Sequence, residues 1–245
     1  MTIFRQYTRD ASFTKVTELP FEVDKFQVAL LFAIDSNCNG PSPPDGNFTP
    51  SWDTNKVTPN VISTFKAKEL PFQVEFLVCI GDQDEKYSFA TNASQRDLWV
   101  RNATSSLKKI IDDYHLDGID VYHEHINQGS DFVDCIGTVM QNLKQIMNIS
   151  TASISPTAPL NTEFYIPLFN KYQNFIDTVV YQCYTETQPI KEAERLVSLY
   201  EDIGQSYPKQ KLLAGQSTLS KDWGSVPPNV FYIASLSLLE KQKIS

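Results

Sequence analysis

The stretch Leu116-Asp117-Gly118-Ile119-Asp120-Val121-Tyr122-His123-Glu124-His125 packs carboxyl, phenol and imidazole groups, all able to give, take or hold a proton, into ten residues. In an extended chain alternate residues share a face, so Asp120, Tyr122 and Glu124 point one way while Ile119 and Val121 point the other. Carboxylates aimed into a fold cost free energy unless they are paired or used. The other reading of the same composition is a solvated helix start with acidic residues in its first turn. The apolar residues on the opposite face favour the strand. His123 faces away from the carboxylates by parity and His125 follows the strand, so both read as structural imidazoles before they read as acid-base groups.

Such a strand needs neighbours. Apolar, branched or aromatic runs recur over 3–7, 27–34, 73–80, 118–122, 152–154, 178–184 and 211–215, which makes seven strand candidates. Helical periodicity fills 94–114, opened by Ser94-x-x-Asp97, and 131–147, with Ser130 as N-cap. Two further helices are expected over 189–203, closed by Gly204, and over 227–243, with proline in the first turn. Alternating strands and helices, the strands apolar on both faces, mean a parallel α/β sheet covered by helices. No GxGxxG or GxxxxGK[ST] follows a strand, so the open nucleotide-binding sheets give way to a TIM-type (β/α)8 barrel with function at its C-terminal rim. The turn-rich run Gly40–Gly46 is expected to form a long rim loop, and residues 1–245 read as one domain.

Composition narrows the function further. The 245 residues carry 21 basic against 29 acidic side chains, a net charge of -8 with a pI near 4.9, the wrong sign for a surface that neutralises phosphates. No nucleic-acid partner is expected. Nor is a membrane partner, since apolar residues nowhere run together for roughly 18 positions. Cys38, Cys79, Cys135 and Cys183 lie far apart, without the spacing of a zinc site, and read as free thiols; no metal or other cofactor is expected. The opening residues lack the basic-then-apolar pattern of a secretory leader, which points to a cytoplasmic protein and leaves association with the chloroplast open. The sequons at Asn47, Asn92, Asn102 and Asn148 then read as chance occurrences.

With its neighbours, the Asp120 segment resembles glycoside hydrolase family 18, the chitinases, whose fourth strand reads DGxDxDxE. The resemblance runs nearly end to end through Ile3-Phe4-Arg5, Leu31 to Asp35, Ser51-Trp52-Asp53, Leu116 to Ile126, Asp177 to Tyr184 and Leu213 to Thr218. It looks most like the plant branch that holds narbonin, concanavalin B and the legume RuBisCO-associated protein. The resemblance implies that Glu124 stands where the family's general acid protonates the glycosidic oxygen, the substrate's own acetamide serving as nucleophile. Gln182 and Tyr184 match the family's QxY, whose tyrosine bonds that acetamide, and Trp52 sits in a loop from which a sugar face could be stacked.

Three departures stand out. Tyr122 replaces the aspartate that steadies the acetamide, and a phenol with an ordinary pKa of about 10 carries no charge at neutral pH. The SxGG of strand three becomes Cys79-Ile80-Gly81-Asp82, which puts a carboxylate in the sugar floor. The family's eighth strand has no counterpart before Ser245, so either the reading frame is shortened or the barrel stays open and is covered by something else. What the resemblance implies is a silent chitinase-like barrel with a storage-like or protein-associating role, a large partner such as RuBisCO being implied by one relative. A non-cutting binder of chitin oligosaccharides and a weak glycosidase are the alternatives.

Overall fold

The computed structural model describes residues 2–19, 22–35, 44–82, 89, 92–127, 131–217, 219, 222 and 225–244. Seven parallel strands form one ladder: β1 (Ile3–Thr8), β2 (Lys25–Asp35), β4 (Gln73–Asp82), β5 (Gly118–His123), β6 (Thr151–Ile154), β7 (Thr178–Gln182) and β8 (Leu212–Gly215). A short β3 (Phe48–Pro50) folds back antiparallel on β2, pairing Ala33 with Pro50. The sheet curls so far that Arg5, on the first strand, bonds Ser153 on β6. It is a nearly closed TIM-type barrel, and no pairing joins β1 to β8 among the described residues.

The outer sides of the strands are apolar because helices cover them. Phe26, Val28 and Leu30 on β2, Phe76, Val78 and Ile80 on β4, and Ile119 and Val121 on β5 are all fully buried. The covering helices are α1 (Pro59–Lys66), α2 (Ala93–Tyr114), α3 (Phe132–Met147), the short α4 (Ala158–Leu160), α5 (Ile166–Tyr172), α6 (Ala193–Ile203) and α7 (Pro228–Ile244). A single wide π turn, Asn161–Tyr165, joins α4 to α5.

Several boundaries differ from the sequence expectation. Asn92, not Ser94, caps α2, its side chain accepting from the Gln95 N–H at 3.0 Å. Ser130 and most of the Gly40–Gly46 loop lie outside the described residues, and Asp131 occupies the N-cap of α3 with its side chain accepting from Arg96 Nη1 at 3.2 Å instead of capping the helix. Helix α6 begins at Ala193, because Gln188 to Glu192 run non-helically, and Gly204 ends it in right-handed rather than left-handed geometry, at φ −61°. The strand expected over 178–184 stops at Gln182, where a 3-10 turn over Cys183–Thr185 takes over. Helices α1 and α5 were not expected. Both carry an early proline, and α1 has the Thr58-Pro59 start that a capping search would find, with Thr58 Oγ1 accepting from Val61 N at 3.2 Å.

The inside is polar, which is unusual for a barrel whose layers commonly hold branched apolar side chains. Register places Arg5 beside Gln27 and Gln27 beside Glu75, and one layer up places Cys79 beside Asp120 and Asp120 beside Ser153. Glu75 takes bonds from Lys25 Nζ at 2.7 Å, Gln27 Nε2 at 2.9 Å and Thr151 Oγ1 at 2.8 Å. Burial alone would push the Glu75 carboxyl up, but these donors outweigh it and hold it below the ordinary glutamate value. A carboxyl depressed in the folded state stabilises the fold above the unfolded-state pKa and loses that contribution as pH falls through the folded value. Urea melts between pH 3 and pH 7 are therefore expected to show stability falling below about pH 4.3, the ordinary glutamate pKa. Glu75→Gln should cost about 1.5–3 kcal/mol at pH 7 and flatten that acid limb, as expected for bonds to a charged group.

Candidate active site

Asp120 is wholly buried at the middle of the barrel. Arg5 Nη1 donates to its Oδ1 at 2.7 Å, Ser155 Oγ donates to Oδ2 at 2.9 Å, Ser153 Oγ donates to Oδ1, and the Cys79 thiol approaches Oδ2 at 3.5 Å. Four donors thus converge on one buried carboxyl group, which fixes its place in the barrel. Tyr7 completes the layer: Ser155 has a single hydroxyl proton and spends it on Asp120, so the Tyr7 phenol is the donor in its 2.7 Å bond to Ser155. Burial pushes the Tyr7 phenol and the Cys79 thiol well up, so both stay neutral. Sequence reasoning picked out Asp120 but not Arg5, Tyr7, Ser153 or Ser155 as its partners.

One step nearer the rim, Tyr122 lies between the two retained chitinase residues. Its hydroxyl donates to Glu124 Oε1 and sits 2.5 Å from the Tyr184 hydroxyl. Tyr122 has one proton and Glu124 receives it, so Tyr184 is the donor in the second bond and the relay runs Tyr184 to Tyr122 to Glu124. Burial, with the neighbouring Tyr184 and Glu124 adding to it, drives the Tyr122 phenol far above its ordinary value, and burial does the same to Tyr184. Neither phenol supplies an anion. The Tyr122 ring is 3% exposed and packs with Ala29, Phe32 and Cys79, its centroid 5.9 Å from Phe32 and 6.1 Å from Tyr7. The register of β2 shifts between Leu31 and Ala33, across a cis Leu31–Phe32 peptide, where Phe32 joins this plug. Below it Gly81 holds φ +149°, and a Cβ there would lie 1.5 Å from the Tyr122 carbonyl oxygen, so β4 approaches β5 as only glycine permits.

The remaining candidates are placed elsewhere. The Gln182 side chain turns onto its own strand, Nε2 donating to the Val180 carbonyl at 3.1 Å, and lies against Gly215. Trp52 is not a rim platform: it is 3% exposed and packs edge-on to Tyr114 at 5.3 Å, the backbone on either side of it being held by bonds from Ser51 N–H to the Phe32 carbonyl and from Asp53 N–H to the Arg9 carbonyl. Asp82 ends β4 opposite His123, and its side chain lies outside the described part. His123 points to the helices, its ring edge-on to Phe89 and Phe132, and burial lowers its pKa to about 3, so it is neutral at physiological pH. Cys79 and Cys183 are free thiols, buried like Cys135, while Cys38 lies outside the described residues, and no metal-holding cluster occurs among those described. No helix among the described residues is long and apolar enough to cross a membrane.

Known proteins share this framework. The chain is similar to the "RuBisCO-associated protein" of Glycine max, at 39% identity over 97% of this chain and 86% of that protein. It is similar to "Chitinase 1" of Tulipa saxatilis subsp. bakeri, at 34% identity over 98% of this chain and 77% of the relative. Among solved structures it superposes on a family 18 chitinase from Crocus vernus with a TM-score of 0.77 and 31% identity, covering 99% of this chain and 90% of that one. No family model matches the sequence.

Proposed function

Because the chain belongs to the plant chitinase-like proteins of glycoside hydrolase family 18, we propose that it is a catalytically silent member that works by associating with another protein, with a storage-like role in the same class. One observation carries the silence: the Tyr122 hydroxyl occupies the space between Glu124 and Tyr184. An acid must present a proton to the glycosidic oxygen, and here the Glu124 Oε1 that would carry it accepts a phenol. The acetamide that would act as nucleophile meets a packed aromatic plug, and a neutral phenol stands where the family's aspartate would balance a cationic ring. Association is supported by the relative named for RuBisCO.

Half-buried Glu124 and part-buried Tyr184 keep a second reading in view, a binder of chitin oligosaccharides that does not cut them. The burial of Trp52 and the inward turn of Gln182 count against it. One set of measurements separates these readings. With the N-acetylglucosamine tetramer, the purified chain is expected to release no product and to give no heat in a calorimeter at millimolar sugar. Heat without product would favour the binder, and turnover at the rate of an active plant chitinase would overturn the proposal. Cosedimentation with purified RuBisCO holoenzyme tests the partner.

A further inference from the structure

Helices α2 and α3 lie side by side and parallel on the outside of the barrel. Arg96 Nη1 donates to Asp131 Oδ2 at 3.2 Å near their starts, and Asn142 Nδ2 donates to Thr104 Oγ1 at 3.2 Å further along. Partners 35 and then 38 residues apart fix the register, which sets Ile146 level with Lys108. The two helices join β4 to β5 and β5 to β6, and β5 is the fourth of the seven strands in the ladder. The pair therefore stands across the barrel from both ladder ends.

Between these helices runs a groove of about 440 Å³, walled by Val100, Arg101, Thr104, Ser105 and Lys108 of α2 and by Asn142 of α3. Charge marks it first. Three of the four cations on α2 are matched, Arg96 by Asp131, Lys108 by Asp112 and Lys109 by Asp113. Arg101 is exposed and has no ion pair or hydrogen-bond partner among the described residues. Its planar guanidinium offers a fork of donors that fits the edge of a carboxylate. Apolar exposure marks the groove independently. Outside α7 and Leu219, the exposed large apolar side chains among the described residues are Leu98 at 47% and Ile146 at 63%. Leu98 lies three residues before Arg101 and Ile146 four after Asn142, spacings that make each a surface neighbour of its groove residue. One apolar side chain thus stands at either end, with the unmatched cation between them.

These features select a helix as the occupant. The backbone groups of α2 and α3 are spent within their own helices, so the groove offers no main-chain edge to an extended peptide, whereas a helix satisfies its own backbone and needs only side-chain contacts. From Leu98 to the level of Lys108 and Ile146 is about 15 Å at 1.5 Å per residue, nearly three helical turns. Asp97 lines the Leu98 end and repels an acid there, so the acid belongs nearer the other end, between Arg101 and Lys108.

We infer that the groove between α2 and α3 docks an amphipathic helix of a partner protein, one that carries two large apolar residues eleven apart and an aspartate or glutamate four residues from one of them, its carboxylate on Arg101. This deepens the association reading and rests on it. A net charge of -8 disfavours acidic partners over the rest of the surface, so Arg101 selects where such a helix lands as well as which helix it is.

Panning a library of fifteen-residue peptides on the purified chain should enrich that spacing. The synthesised peptide should gain helix on binding, should bind less tightly as salt rises, and should bind Arg101→Glu at least about tenfold more weakly, a loss of about 1.4 kcal/mol. Leu98→Ser/Ile146→Ser should weaken it as well. Arg195→Glu makes the same charge change at an exposed arginine of α6 and should bind as the parent does. All the substituted side chains are exposed, and circular-dichroism melts show that the variants fold. Apolar enrichment at every second residue, no enrichment, or equal binding to the parent and Arg101→Glu would each overturn the inference. RuBisCO holoenzyme that cosediments equally with the parent and Arg101→Glu would keep the association reading and remove the groove. A groove-binding peptide, with no RuBisCO bound to any form, would keep the groove and remove that partner.

Discussion

Replacing Tyr122 with aspartate is expected to raise hydrolysis of N-acetylglucosamine oligomers by about 10²- to 10³-fold over the parent chain, the range that one preorganised electrostatic group commands. The substitution does three things at once. It removes the phenol that donates to Glu124 Oε1, frees the Tyr184 hydroxyl for a substrate oxygen, and places an anion where a cationic sugar ring would develop. It also opens space, since the ring it removes packs against Phe32 and Tyr7. Tyr122→Phe is the control: it abolishes both hydroxyl bonds but keeps the plug and adds no anion, so it should stay silent. Tyr122→Asp/Glu124→Gln should lose the whole gain, because the acid is then gone. Product release measured by chromatography for the four proteins decides the matter. A Tyr122→Asp variant no faster than its parent would show that the Cys79-Ile80-Gly81-Asp82 floor, or the turned Gln182, is a second block of equal weight.

The parity of one strand was enough to find the centre of this site. Ile119 and Val121 are apolar and buried under helices, Asp120 and Tyr122 face inward, and that alternation is a local property that six residues of sequence reveal. The partners were not legible, because they come from far along the chain. Arg5 meets Asp120 across 115 residues, and Tyr7 meets Ser155 across 148, so only the register of the assembled barrel brings them together. Gln182 and Tyr184 look like one continuing strand, but the chain leaves the ladder at Gln182 and turns, which aims the two side chains differently from the alternation expected. Trp52 carries a similar lesson. An aromatic residue in a loop has the same sequence signature whether its ring faces solvent or is buried against a helix, and here it is buried against Tyr114. The helix at 59–66 was the reverse case, since its cap and proline were visible and only the short length of the segment hid it.

Arg5→Met is expected to cost about 3–5 kcal/mol, the penalty for leaving one member of a buried ion pair without its partner. The side chains of Arg5 and Asp120 are 2% and 0% exposed, so water cannot take over when the guanidinium leaves. The loss reaches beyond one bond, because the same guanidinium holds Gln27 Oε1 at 2.7 Å and Ser153 Oγ at 2.8 Å, and Gln27 in turn donates to Glu75. Asp120→Leu alone should be comparably severe, since it leaves a buried cation. Arg5→Met/Asp120→Leu should cost clearly less than the sum of the two, and the difference in a double-mutant cycle measures the pair itself. Replacement of a whole buried pair by apolar side chains is often nearly neutral. A double variant close to the parent in urea melts would therefore show that the polar interior is held for the shape it gives the floor beneath Tyr122, where Cys79 and Ser155 contact Asp120, and not for stability. Additive costs would show that the two charges act separately, and would dissolve the single network that the barrel interior depicts.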